Sequence, residues 1–138
     1  MIRSMAYLGL TTPAVAEWRG FGSDILGLHL IDDGADGAAR FRMDDADCRL
    51  WVHPGAQNDI AYIGWAVSGE AEALALKARI EAAGPVLTRA SAEDAAARRV
   101  AGFYAFTDPM GFRHELAWGQ FVSPGSFTST IDLRKDGR

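Results

Sequence analysis

The chain has little cysteine, few histidines and no long apolar run. Its 138 residues include one cysteine, Cys48, which excludes an internal disulfide and a zinc or iron–sulfur site built from several cysteines of one chain. No segment approaches the roughly 20 apolar residues that span a bilayer. The N-terminus also lacks the charged segment, apolar run and small-residue cleavage site of a secretory signal. These absences predict a cytoplasmic protein with no membrane partner.

The sequence also lacks an excess of positive charge. Lysine and arginine number 14 against 18 acidic residues, for a net charge of -4. Nucleic-acid binding depends mainly on clustered lysine and arginine, so we expect no nucleic-acid partner. The hydrophobic share of 49% and the charged share of 23% are typical of a globular domain.

A repeated phrase determines the predicted architecture. Residues 5–10 read Met-Ala-Tyr-Leu-Gly-Leu, and residues 60–65 read Ile-Ala-Tyr-Ile-Gly-Trp. Each copy is a short apolar strand centred on Ala-Tyr-apolar-Gly, and each precedes a helical stretch and further strand-like segments. An internal repeat of this size indicates a duplicated supersecondary module.

The first module is predicted to run strand, helix, strand, strand, strand. Its opening strand begins at Ser4, and Thr12-Pro13 is typical of a helix start. That helix is predicted to end near Leu26-Gly27, and a turn-rich run at 32–37 closes the next strand. The three later strands are predicted at 28–31, 39–43 and 49–53.

The second module repeats that order. Residues 60–67 are the strand, and 69–83 are a helix stopped by Gly84-Pro85. The remaining predictions are a short strand at 86–89, a helical patch at 91–99, and strands at 101–106 and 113–118.

Two tandem βαβββ modules predict an α+β fold with a curved mixed sheet around one concavity. Each module has a helix on one sheet face and leaves the other face open, so pairing the modules encloses the open faces. We expect one domain over residues 1–120, with module 1 at about 3–55 and module 2 at about 58–119. Residues 121–138, rich in Ser, Thr and Gly, are predicted to be a linker-like tail.

Several stretches, taken in order, resemble a known family. They are residues 4–10, residues 97–102, the turn Thr107-Asp108-Pro109-Met110-Gly111, the strand that carries Glu115 and closes at Gly119, and residues 121–124. The pattern resembles the vicinal oxygen chelate superfamily, which includes glyoxalase I, bleomycin-resistance proteins and extradiol dioxygenases. It is most similar, over about residues 3–125, to the N-terminal domain of a 2,3-dihydroxybiphenyl 1,2-dioxygenase.

The resemblance implies a domain without metal. Full-length enzymes of that family carry two such domains, and only the C-terminal one binds Fe(II), through two histidines and a glutamate. The matching positions here are Tyr7, Tyr62 and Glu115. Phenols with an ordinary pKa near 10 are poor ligands for ferrous iron at neutral pH. We therefore expect no cofactor in this chain and assign no catalytic residue.

These three degenerate metal positions need another explanation. The favoured one is that Tyr7 and Tyr62 pack as paired aromatics with partnered hydroxyls; the alternative is a direct role in ligand binding. Strand alternation places Glu115 on the same face as Arg113. Because a carboxylate facing a cavity must be paired, hydrogen-bonded or protonated, we expect a tyrosine hydroxyl or an arginine to hold Glu115.

Other residues are weaker candidates. His53 ends the last strand of module 1, and a surface position is favoured over metal ligation there. The pair Arg98-Arg99 follows a predicted helix, and a solvated helix end is favoured over contact with an anion. Aromatic side chains are more often plain core than ligand-binding. The candidates for lining the concavity are His53, Trp51, Trp65, Phe103 and Arg113.

Three functions remain open. The favoured one is an extradiol-dioxygenase-like N-terminal domain in aromatic-compound degradation, part of or partner to a ring-cleaving enzyme, not catalytic alone, with an apolar surface for the catalytic domain. The second is a dimeric protein of the bleomycin-resistance kind that sequesters an aromatic or cationic small molecule. The third is a metal-dependent enzyme with a site built from His53 and Glu115 across a homodimer.

Overall fold

The strands and helices follow the order predicted from the repeat. The computed structural model describes residues 1–31 and 36–124. Module 1 contains β1 (Ser4–Thr12), α1 (Val15–Gly20), β2 (His29–Ile31), β3 (Ala39–Arg42) and β4 (Leu50–Pro54). Module 2 contains β5 (Asp59–Ala66), α2 (Glu70–Ala82), β6 (Thr88–Arg89), α3 (Ala92–Ala97), β7 (Gly102–Thr107) and β8 (Arg113–Trp118).

The first helix is shorter than predicted. α1 ends at Gly20, and a wider π-helical turn continues over Phe21–Ile25. Gly22 in that turn lies so close to the ring of Phe41 that a β-carbon would overlap it. Gly27 then adopts the left-handed backbone, with φ of 71°, a conformation that commonly ends a helical segment. Of the predicted turn-rich run 32–37, residues 32–35 lie outside the described residues.

One eight-stranded mixed sheet joins the two modules, in the order β2-β3-β4-β1-β5-β8-β7-β6. β1 pairs with β4 in parallel, as β5 does with β8, and the antiparallel pair β1–β5 connects the modules at the centre. The strand order is therefore symmetric about that central pair. The predicted α+β fold, with tandem modules forming a curved mixed sheet, is confirmed.

Strand alternation divides the core between the two faces of the sheet. One face packs against α1 in module 1 and α2 in module 2. The other face, called the concave face here, carries α3 through Ala95. Its buried side chains include Tyr7, Cys48, Trp51, Tyr62, Val100 and Phe103. No helix among residues 1–31 and 36–124 is long and apolar enough to span a membrane.

The start of the predicted tail is anchored to module 1. Val122 forms an isolated antiparallel bridge with Ala46. The Ser123 hydroxyl donates a hydrogen bond of 2.7 Å to Asp47 Oδ1, and the Asp47 amide donates one of 2.8 Å to the Phe121 carbonyl. The rest of that predicted tail, residues 125–138, lies outside the described residues.

Candidate functional site

Three adjacent central strands bring the degenerate metal positions together on the concave face. In the register of β1, β5 and β8, Tyr7 is paired with Gly64, and Gly64 with Glu115. Because Gly64 has no side chain, the Tyr7 hydroxyl reaches across the middle strand and donates a 2.5 Å hydrogen bond to Glu115 Oε1. Tyr62, on the middle strand, packs edge-on to Tyr7 with ring centroids 5.8 Å apart.

Glu115 is a fully buried carboxylate, with 0% of its surface exposed. Besides the Tyr7 hydroxyl, it accepts hydrogen bonds from Arg98 Nε at 2.8 Å, Arg98 Nη2 at 3.1 Å and Arg113 Nε at 2.9 Å. Charge-assisted bonds of this kind offset the desolvation of a buried carboxylate. Both types of partner that the sequence suggested for Glu115, a tyrosine hydroxyl and an arginine, contact it in the structure.

Arg98 lies at the centre of the site. Its guanidinium bridges both oxygens of Glu115, and its Cζ atom lies 3.5 Å from the centroid of the Tyr62 ring. Burial opposes the charge of Arg98, but the hydrogen bonds with Glu115 and the neighbouring phenols raise its pKa, so it stays protonated. A cation held over an aromatic face is further stabilised by the ring quadrupole.

The prediction that Arg98-Arg99 forms a solvated helix end is therefore wrong. Only 17% of the Arg98 side chain is exposed. α3 ends at Ala97, and Arg99 adopts a left-handed backbone with φ of 56°, where its guanidinium donates to Asp47 at 2.8 Å. The sequence indicated that the charge of Glu115 needs a partner, but residue spacing alone could not identify Arg98 as that partner.

The two phenols are protonated at neutral pH. Burial, reinforced by the charge of Glu115, raises the pKa of Tyr7 far above its ordinary value. Burial likewise raises the pKa of Tyr62. Neither side chain therefore offers a phenolate to a cation.

His53 extends the network at its edge. Its Nε2 atom lies 2.7 Å from the Tyr62 hydroxyl. Burial and the positive charge of Arg98 lower the pKa of His53, which favours the neutral ring. The side chain is half-buried and faces Tyr62, rather than lying on the open surface that the sequence favoured.

Iron would not fit the residues at these positions. In the part of the chain that the structure describes, no group of three His, Cys, Asp or Glu side chains is placed to hold a metal ion. The carboxylate of Glu115 is already occupied by two guanidinium groups, and both phenols keep their protons. A 2-His-1-carboxylate site needs two neutral imidazoles and open positions, and these side chains provide neither.

The candidates for lining the concavity divide into three groups. Trp51 and Phe103 are buried in the core of the concave face, His53 and Arg113 lie at its edge, and 47% of the Arg113 side chain is exposed. Trp65 was assigned to the wrong face. Tyr62 and Gly64 lie on the concave side of β5, so strand alternation places Trp65 on the α2 side. There its indole N–H donates a hydrogen bond of 2.9 Å to His114 Nδ1.

An apolar groove lies on module 1 and borders this network at Tyr7. It has a volume of about 610 Å³ and includes the exposed side chains of Met5, Leu26 and Met43. Asp44 and Arg49 also line it and form an ion pair of 2.7 Å with each other. The groove thus presents apolar surface beside charges that are already neutralised.

Comparison with known proteins shows what this chain is similar to. Residues 5–55 match the family described as Dihydroxybiphenyl dioxygenase BphC D1. The biphenyl-2,3-diol 1,2-dioxygenase of Sphingomonas paucimobilis is 35% identical over 88% of this chain and 40% of its own length. An iron-dependent extradiol dioxygenase of Rhodococcus jostii is 33% identical over 80% of the chain and 37% of its own length.

A solved structure is also similar to this chain. The crystal structure of BphC, a halotolerant catechol dioxygenase, superposes with a TM-score of 0.93 at 69% sequence identity. The superposition covers 96% of this chain and 44% of that protein. The chain therefore spans less than half the length of the relatives it matches.

Proposed function

We propose that the chain is a non-metal N-terminal domain of the extradiol dioxygenase type, within the vicinal oxygen chelate superfamily, and that it works with a ring-cleaving catalytic domain in aromatic-compound degradation. The observation that carries the proposal is the Arg98–Glu115 ion pair. It fills the position where the three central strands converge and leaves no ligand set for ferrous iron. The iron and the chemistry of ring cleavage would then come from the catalytic domain, in the cytoplasm.

The concavity supports a structural role for this domain. Tyr7, Trp51, Tyr62 and Phe103 are buried in it, and Arg98 closes it from α3. A stand-alone protein that sequesters a small molecule needs an open hollow at this place. A site shared between His53 and Glu115 across a dimer needs a free carboxylate, whereas Glu115 already accepts four hydrogen bonds.

The apolar groove is the surface we propose for contact with the catalytic domain. Large exposed apolar patches on a domain commonly mark interaction sites. Residues 121–124, which follow the last strand, run along the loop 44–48 at the border of the groove: the Ser123 amide donates to the Asp45 carbonyl at 3.0 Å. Val122 in this segment is an exposed apolar side chain.

Ring cleavage by the isolated chain and by a chimera tests the proposal. The chimera joins this chain to the part of the 69%-identical catechol dioxygenase that the chain does not match. Both proteins are loaded anaerobically with Fe(II) and assayed with catechol and 2,3-dihydroxybiphenyl for the coloured cleavage product. We expect no product from the isolated chain and product from the chimera. Stoichiometric iron and turnover in the isolated chain would refute the proposal, as would an inactive, folded chimera that binds iron.

A further inference from the structure

We propose that Arg98 serves as the built-in cation of the concave face, occupying the place between Tyr62 and Glu115 that a small external cation would otherwise take. This role concerns the interior of the domain and does not depend on which partner the domain contacts. It rests on the same Arg98–Glu115 ion pair as the proposed function, but the tests are distinct: ring cleavage by the chimera tests the function, and the variants below test only the cation position.

The first support is the convergence of electron-rich groups on one point. The Glu115 carboxylate, from β8, bonds the guanidinium through both oxygens at 2.8 and 3.1 Å. The Tyr62 ring, from β5, presents its face to the same guanidinium at 3.5 Å. A carboxylate and an aromatic face are both groups that attract a cation.

The second support is the charge balance of Glu115. The carboxylate is fully buried, and an unpaired buried charge is strongly unfavourable. Of its two arginine partners, Arg113 lies at the edge with 47% of its side chain exposed, whereas Arg98 has 17% exposed. Arg98 therefore supplies the more deeply buried of the two positive charges that compensate Glu115.

The third support is that Arg98 reaches this point from outside the sheet. The side chains that converge here, Tyr7, Tyr62 and Glu115, belong to three neighbouring strands. Arg98 comes from the end of α3, where the Arg99 turn sets the chain direction. Truncating Arg98 would leave the strand side chains in place and remove only the cation.

Chemical rescue of an Arg98→Ala variant tests the proposal. We expect the variant to melt at a lower temperature than the parent protein, and millimolar guanidinium chloride to raise its melting temperature relative to sodium chloride at equal ionic strength. The parent protein should show no such rise. Arg99→Ala, which removes the neighbouring guanidinium from Asp47, is the matched control and should show none either. A folded Arg98→Ala variant without rescue would overturn the proposal, as would equal rescue of both variants.

A pair of variants with added metal ligands tests the same point even if Arg98→Ala does not fold. The first is Tyr7→His/Tyr62→His with Arg98 kept, and the second adds Arg98→Met, which preserves an apolar chain over residue 62. Like charges placed side by side repel strongly in a dry site. We expect Co²⁺ to bind the second variant roughly 100-fold more tightly than the first, with visible cobalt absorption. Adding Glu115→Gln should abolish that absorption.

Equal cobalt affinity of the two folded variants would overturn the proposal, because Arg98 would then not hold the cation position. Absence of cobalt binding in the folded Tyr7→His/Tyr62→His/Arg98→Met variant would also overturn it.

Discussion

The ring of Tyr7 lies directly over Gly64 of the neighbouring strand, and the ring of Tyr62 lies over Gly9 in the same way. A β-carbon at either glycine would fall well inside van der Waals contact with the tyrosine opposite. The antiparallel register of β1 and β5 pairs Tyr7 with Gly64 and Gly9 with Tyr62. The repeated Ala-Tyr-apolar-Gly phrase is thus reciprocal, because the tyrosine of each copy requires the glycine of the other.

Gly64→Ala should destabilise the domain by about 1–3 kcal/mol, the usual cost of overpacking a filled core. The added methyl group would push the Tyr7 ring away from Glu115. Urea unfolding followed by tryptophan fluorescence measures the effect. Gly20→Ala is the control, because a β-carbon at exposed Gly20 meets only the Asp24 side chain, at 3.9 Å. Equal stability of the two variants would contradict the reciprocal packing.

Glu115→Gln should be strongly destabilising, by about 3–5 kcal/mol, because it leaves buried Arg98 without its counter-charge. Differential scanning calorimetry of the variant and the parent gives the change. Glu93→Gln, on the exposed side of α3, should lie within about 0.5 kcal/mol of the parent. A Glu115→Gln loss as small as that of the control would argue against a buried ion pair that stabilises the domain.

Stability should fall in mildly acidic solution because of His53. Burial and Arg98 place the pKa of His53 in the folded protein below its value in the unfolded chain. The unfolded state therefore binds the proton more readily, and folding weakens as pH drops below about 6.5. The loss levels off once pH is below the folded-state pKa. Unfolding free energies from pH 8 to pH 5 should show a smaller slope for His53→Gln, while His29→Gln, at an exposed position, keeps the parent slope.

Charges in the apolar groove should disrupt its contact with the catalytic domain. In the chimera, Leu26→Glu/Met43→Glu is expected to reduce ring cleavage about tenfold or more, because burying an unpaired carboxylate is unfavourable. The control is Met110→Glu, whose side chain is exposed in the turn before β8 and does not line the groove. Full activity of the groove variant, with the fold intact by circular dichroism, would show that the catalytic domain docks elsewhere.

Most of the fold was predictable because its signals are local. The repeated phrase located β1 and β5, Gly84-Pro85 located the end of α2, and alternation assigned Glu115 and Arg113 to the same face. The same rule, applied to Trp65, would have placed it with the α2 side. The π-helical turn after α1 was missed; its Gly22 packs against Phe41, a contact between residues of different elements that the local sequence does not reveal.

The sequence by itself determined the tandem modules, the family resemblance and the mismatch between two tyrosines and an iron site, since each depends on residue types and their spacing along the chain. Only the tertiary structure decided what balances Glu115. Arg98 is 17 positions away in sequence and lies on a different element. The energy that makes this pairing necessary, the desolvation of a carboxylate, arises only when the sheet closes over it.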